Sequence, residues 1–190
     1  MTTLRLFVIV LLATGLAACG QQASAPPAAP PSGQPARPVS SAPPGGFGVT
    51  EQAFVQLAIA TDDQAVKLLD LGAARVAEPT LRDLASDLAA ARRDELTALH
   101  GLLDSASIPY ENLHQGHDMP GMPTEPELAA LRTSADFDAE FARLVRAHLT
   151  ESTTVARSAA EQVTHAGTKA VATGMVDERR AALARLDGLG

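Results

Sequence analysis

Tryptophan is missing from this chain, tyrosine occurs once, and aromatic residues make up 3% of its 190 positions. Strands draw on aromatic and β-branched residues, whereas Ala and Leu, which dominate here, favour helix. The chain therefore reads as all-α, with a core of small residues packed helix against helix. A single cysteine, Cys19, excludes an intrachain disulfide. Basic residues are outnumbered, 15 Lys and Arg against 22 Asp and Glu, for a net charge of −7. No basic patch stands ready to neutralise phosphates, which argues against a nucleic acid partner. There is no Gly-rich phosphate loop and no Glu-x-x-His pair, the signature that di-iron and di-manganese bundle centres need. No catalysis is expected.

Long apolar runs are also absent. The longest, Leu6 to Leu12, follows the positive Arg5 and is too short to span a bilayer well. It reads as the core of an export signal over residues 1–18. Leu16-Ala-Ala-Cys19 resembles the lipobox of bacterial lipoproteins, which makes Cys19 the lipidated mature N-terminus and a membrane the first partner. Gly20 lacks the Asp linked to inner-membrane retention, so the periplasmic side of an outer membrane or a Gram-positive cell surface both fit. Residues 19–48 are Pro, Ala, Gly, Ser and Gln with Arg37 the only charge. Such a segment has almost nothing to bury and is expected to be a disordered tether.

Residues 49–190 remain, about one domain's worth. This part is written twice. Phe54 and Phe141 stand 87 positions apart, and the same offset pairs Leu57 with Leu144, Val76 with Val163, Arg92-Arg93 with Arg179-Arg180, and Leu99 with Leu186. Two copies of a helical hairpin predict a ferritin-like up-down four-helix bundle with a long connection in the middle. The first helix is expected from Thr50 as its cap to about Val76, with Phe54, Leu57, Ala58, Thr61, Ala65, Leu68 and Gly72 inward. The second runs from Pro79 to near Leu103, with Glu95 on its inner face. Thr124-Glu-Pro-Glu127 signals a short capped helix to about Arg132. The third long helix begins near Asp136, with Phe141, Val145, His148, Ser152 and Val155 inward. Gly167 is expected to break it before a looser fourth helix over Thr168 to Leu186. The two Arg pairs read as solvated helix charges.

The connection carries His114, His117, Met119 and Met122, two imidazoles and two thioethers within nine residues. That donor set favours Cu(I), while imidazole also suits Cu(II) or Zn(II). Gly116, Pro120 and Gly121 allow the segment to curl, and Asp118 adds an oxygen donor. Without a thiolate, affinity is expected to be moderate and pH-sensitive.

The Phe-x2-Leu start, the His-x2-His-x-Met-Pro-Gly-Met linker and Phe137-Asp138-x2-Phe141 together resemble the domain-of-unknown-function-305 family over about residues 49–189. Ser107-Ile-Pro-Tyr110 is similar to a second exported family, domain-of-unknown-function-4142. The first resemblance implies an exported ferritin-like bundle, linked to copper handling in some members. Where that family usually carries His-His, this chain has Thr61-Asp62 and His148-Leu149. Its helical Glu is Glu95 in one copy and Ala182 in the other, and its Met is Leu99 and Leu186. The pseudo-equivalent inward positions are thus Thr61, Glu95, His148 and Ala182. Only Glu95 and His148 are able to ligate, and a buried His148 hydrogen-bonded to Glu95 or Thr61 is the expectation there.

The resulting expectation is a non-catalytic, membrane-anchored lipoprotein that buffers copper or another soft metal. The loop is its site and Glu95 with His148 a weaker interior one. The alternative is an envelope protein-interaction module that has lost its metal site.

Overall fold

The computed structural model describes residues 46–189. The export signal, Cys19 and the tether lie outside the described residues. Five helices follow in order: α1 Val49–Arg75, α2 Pro79–Ser105, α3 Glu125–Thr133, α4 Phe137–Gln162 and α5 Ala166–Asp187. No strand occurs among the described residues. No described helix is long and apolar enough to cross a membrane.

Helices α1 and α2 form one hairpin and α4 and α5 the other, with α1 packed on α4 and α2 on α5. Chain direction follows from two ties. Gln56, early in α1, donates to the carbonyl of Pro109 just past α2, at 3.4 Å. Arg75, at the end of α1, donates to the carbonyl of Arg132 just before α4, at 2.6 Å. The connection therefore climbs the length of the bundle, and α2 and α4 run in the same direction. The up-down order holds within each hairpin.

Local chemistry explains the helix ends. α1 begins at Val49, before the expected Thr50 cap. The Gly48 amide donates to Glu51 Oε2 at 3.0 Å, and Glu51 Oε1 accepts from the amides of Thr164 (2.7 Å) and His165 (3.2 Å). One carboxylate thus ties the start of α1 to the α4–α5 turn. At the other end, Glu78 caps α2 through the amides of Thr80 and Leu81 ahead of Pro79. Thr124 and Glu127 form the expected capping box of α3. The break between α4 and α5 falls at Val163–His165 rather than at Gly167. His165 Nδ1 accepts from the Thr168 amide at 3.2 Å and caps α5, so Gly167 sits in its first turn.

The core is in two parts. One apolar cluster holds Leu68, Leu84, Leu128, Leu131, Phe141 and Leu149, and the other holds Phe54, Ile59, Leu99, Leu103, Ala156 and Met175. Each fully buried Leu or Phe contributes about 2–3 kcal/mol. Between the clusters, at mid-helix, lie Asp62, Arg92, Glu95, His148 and Arg179, all buried. Gly72 sits against Phe141: a Cβ there would lie 2.2 Å from the ring. Val155, expected inward, is 36% exposed.

Candidate functional site

The helical phase of α5 places Arg179 four residues after Met175, on the same inward stripe, and it is fully buried. Its guanidinium grips Glu95 through two bonds, Nη1 to Oε2 at 2.9 Å and Nη2 to Oε1 at 2.7 Å. Nη2 also reaches Asp62 Oδ1 at 3.1 Å, and Nε donates to Ser152 Oγ at 2.7 Å. Arg92, 1% exposed, reaches Glu178 Oε1 at 2.5 Å and Glu95 Oε2 at 3.5 Å. The paired arginines thus lie in the interior, not on a solvated face. Only their neighbours Arg93 and Arg180 are exposed.

Burial and the nearby negative charge of Glu95 push the Asp62 carboxyl well above its ordinary range, with Arg179 opposing. Burial also acts to raise Glu95, but the Arg179 grip and Arg92 outweigh it and hold Glu95 at about 2. Two guanidiniums, Arg92 and Arg179, thus face the carboxyls of Asp62, Glu95 and Glu178, and pairing of this kind is what a low-dielectric interior demands.

His148 does not bond Glu95 or Thr61. Its Nδ1 lies 3.2 Å from the Gly121 carbonyl. A carbonyl only accepts, so Nδ1 carries the hydrogen and Nε2 the lone pair. Nε2 is buried with no partner, and Asp62 Oδ1 is 3.9 Å away. Burial, then the charges of Arg179 and Arg92, lower the imidazole pKa to about 3. The inward residue of the first pair is Asp62, fully buried; Thr61 is half-buried and spends its hydroxyl on the Ala58 carbonyl at 3.0 Å. Asp62 lies one helical step from Thr61, within the width of an inward face.

The consequence for metal chemistry is direct. Glu95 and Asp62 are the interior carboxylates, and the cation between them is Arg179. Of the weaker site expected from sequence, Glu95 is committed to a guanidinium, and His148 keeps a free lone pair.

The loop divides. His114 and His117 come together, ring centroids 6.4 Å apart and edge to face. They line a cleft of about 690 Å³ with Asp118 and Met122. Met122 is 6% exposed and pins the loop to the bundle. Met119 lines a cavity beside His148 and, with Asp118 and Met122, a further cleft against α4. Gly121 makes the crossing tight: its φ is +74°, and a Cβ would lie 2.5 Å from the Glu151 Cβ. Among the described residues, no three His, Cys, Asp or Glu side chains form a ready metal cluster.

Sequence reasoning missed Asp62, Arg92, Arg179 and Glu178. A signal was there: Arg92 and Arg179 recur at the repeat offset, and each lies on the phase of an inward apolar residue, Leu88 and Met175 respectively.

Comparison with solved structures gives the same bundle. A DUF305 fragment from Deinococcus radiodurans superimposes with a TM-score of 0.67 at 22% identity, covering 77% of this chain and 97% of the fragment. A protein from Streptomyces coelicolor described as a secreted DUF305 protein gives 0.67 at 23%, covering 74% and 91%. CopM in its Cu(II)-bound form gives 0.65 at 19%, covering 73% and 94%. At these identities the likeness shows the fold. No curated protein matches the chain. The family model "Domain of unknown function (DUF305)" matches residues 51–189, and the chain belongs to that family.

Proposed function

We propose that this protein is a non-catalytic, exported copper-binding protein, held at the cell envelope by a lipid on Cys19. The observation that carries the reading is the convergence of His114 and His117, 6.4 Å between ring centroids, in one cleft with Asp118 and Met122. Imidazole with a thioether suits copper in either oxidation state. The likeness to CopM in its Cu(II)- and Cu(I)-bound forms supports the choice of metal. The export-signal reading of residues 1–18 and the lipobox-like Cys19 support the location. Buffering or sequestration is the role proposed for such a site.

A second reading, an envelope interaction module, draws support from Arg179, which occupies the interior position between Asp62 and Glu95. The deciding experiment is titration of the full-length protein in detergent with Cu(II), Cu(I) and Zn(II), beside His114→Ala/His117→Ala. Saturable Cu(II) uptake that the double variant loses is the expected result. Equal uptake by both proteins removes the loop from the site, and uptake by neither leaves the interaction module.

A further inference from the structure

A second cavity, of about 270 Å³, opens between α1, α4 and the Met119-Pro120-Gly121 corner of the loop. Its walls are mainly apolar: Phe54, Leu57 and Val155, with the adaptable side chains of Met119 and Met175. Three of its side chains carry a hydrogen to donate, and all three spend it inside the protein. Thr61 Oγ1 donates to the Ala58 carbonyl at 3.0 Å, Ser152 Oγ to the His148 carbonyl at 2.6 Å, and His148 Nδ1 to the Gly121 carbonyl at 3.2 Å. Arg179 stands behind Ser152, but its charge is engaged by Glu95 and Asp62. The side chains of the cavity therefore offer acceptors and no free donor. Glu151 is the one charged residue that lines it. It is exposed, and the close approach of Gly121 to its stem holds it at the mouth. It enters no ion pair among the described residues.

We infer that this cavity binds an apolar molecule carrying a single primary ammonium group, its hydrocarbon body between α1 and α4 and its charge against Glu151. The donor count decides the class. A carboxylate or phosphate placed here finds no side-chain donor and meets the charge of Glu151, so fatty acids and other anions do not fit. An ammonium brings its own hydrogens to a carboxylate that has no other partner. Size sets the body. Benzene occupies an apolar cavity of roughly 150 Å³, so this one takes a group of about ten carbons. The space between helices of a bundle is a common place for such a ligand. The inference does not rest on the copper reading, because His114 and His117 line another cleft.

The probe is phenylbutylammonium, with phenylbutanol and phenylbutyrate as neutral and anionic partners of the same shape. Each is titrated into the full-length protein in detergent, at free concentrations corrected for uptake by protein-free micelles. The methyl resonances of Met119 and Met175 are the readout, because both side chains line the cavity, and both are expected to shift together. The ammonium is expected to bind roughly tenfold more tightly than the carboxylate, with the alcohol between them. Glu151→Gln, a surface change that folding tolerates, is expected to weaken the ammonium about threefold at low salt and to leave the alcohol unchanged. Val155→Trp fills the mouth and is expected to abolish binding of all three, with circular dichroism checking the fold; if it does not fold, Glu151→Gln decides alone. Equal binding of ammonium and carboxylate, or no joint shift of the two methyl resonances, overturns the inference. So does an ammonium affinity that Glu151→Gln leaves unmoved. Cu(II) uptake by the loop is read separately, so failure of either reading leaves the other standing.

Discussion

At the mid-bundle layer the first hairpin carries Asp62, Arg92 and Glu95, whereas the second carries Leu149, Arg179 and Ala182 at the same places in the repeat. The helices match and the charges do not. Arg179 takes both its carboxylate partners from the first hairpin, and Arg92 takes Glu178 from the second. The apolar clusters above and below fit by shape, a criterion many pairings of two similar hairpins would meet. The ion pairs of the charged layer join particular positions of the two hairpins. Two similar halves have thereby become complementary halves, and a buried polar layer of this kind specifies an arrangement at some cost in stability.

Removing the central cation breaks that complementarity most severely. Arg179→Met leaves Glu95 and Asp62 buried without their main partner and is expected to cost roughly 3–5 kcal/mol in urea unfolding. Adding Glu95→Gln and Asp62→Asn to it recovers most of the loss. If the single variant is near neutral, the layer does not specify the docking. Next comes the steric asymmetry of the copies. Gly72 faces Phe141 in one half, while its repeat partner Ala159 shares the other apolar cluster with Phe54. Giving the first copy the residue of the second, Gly72→Ala, gains about 1 kcal/mol of helix propensity and loses more to overpacking. A net destabilisation of about 1–2 kcal/mol is expected, and Phe141→Leu in the same chain is expected to relieve it.

Glu51 tests the clasp between the start of α1 and the α4–α5 turn. Burial acts to raise its pKa, but the amides of Thr164, Glu51 itself, His165 and Gly48 prevail and bring it from 4.5 to about 2. A carboxyl more acidic when folded than unfolded stabilises above the unfolded value and loses that stabilisation as pH falls. Melting temperature is therefore expected to drop from pH 4.5 toward pH 2. Glu51→Gln should sit about 1–2 kcal/mol lower at neutral pH and flatten that part of the curve. The smallest effect belongs to the surface. Lys67 and Glu125 pair at 2.6 Å but are 50% and 59% exposed, so Lys67→Ala is expected to change stability by less than about 0.5 kcal/mol. A larger loss there would mean that surface pairs rival the buried layer.

Much of the architecture was legible because it rests on short-range rules. Helical periodicity, the Thr124-x-x-Glu127 box and Pro79 located all five helix starts to within about two residues, and the repeat implied two hairpins. What failed depended on tertiary context. Arginine is so often exposed that Arg92 and Arg179 read as surface, although their spacing put them on the inward stripe. The cap of α1 lies at Gly48, two residues before the expected Thr50, and the second role of Glu51, on the amide of Thr164 more than a hundred positions away, was not legible. The loop was recognisable by donor type, but its split into two faces was not. That split depends on Gly121 lying against Glu151 of α4, a contact no local spacing encodes. The pairing of Asp62, rather than Thr61, with Arg179 was equally hidden, because adjacent helical positions differ in depth only once a partner helix is placed.

The bonds of Arg179 to Glu95 and Asp62 reach across 84 and 117 residues, whereas each hairpin closes through a turn of a few residues. Contacts of the first kind form late, because the chain between them must be ordered before they return any free energy. The hairpins therefore have time to assemble and to try one another before the charges lock. Interactions absent from the transition state act mainly on the rate of escape from the native state. Weakening the layer should leave refolding nearly as fast and make the bundle fall apart sooner, so the arginines govern how long a docked bundle lasts.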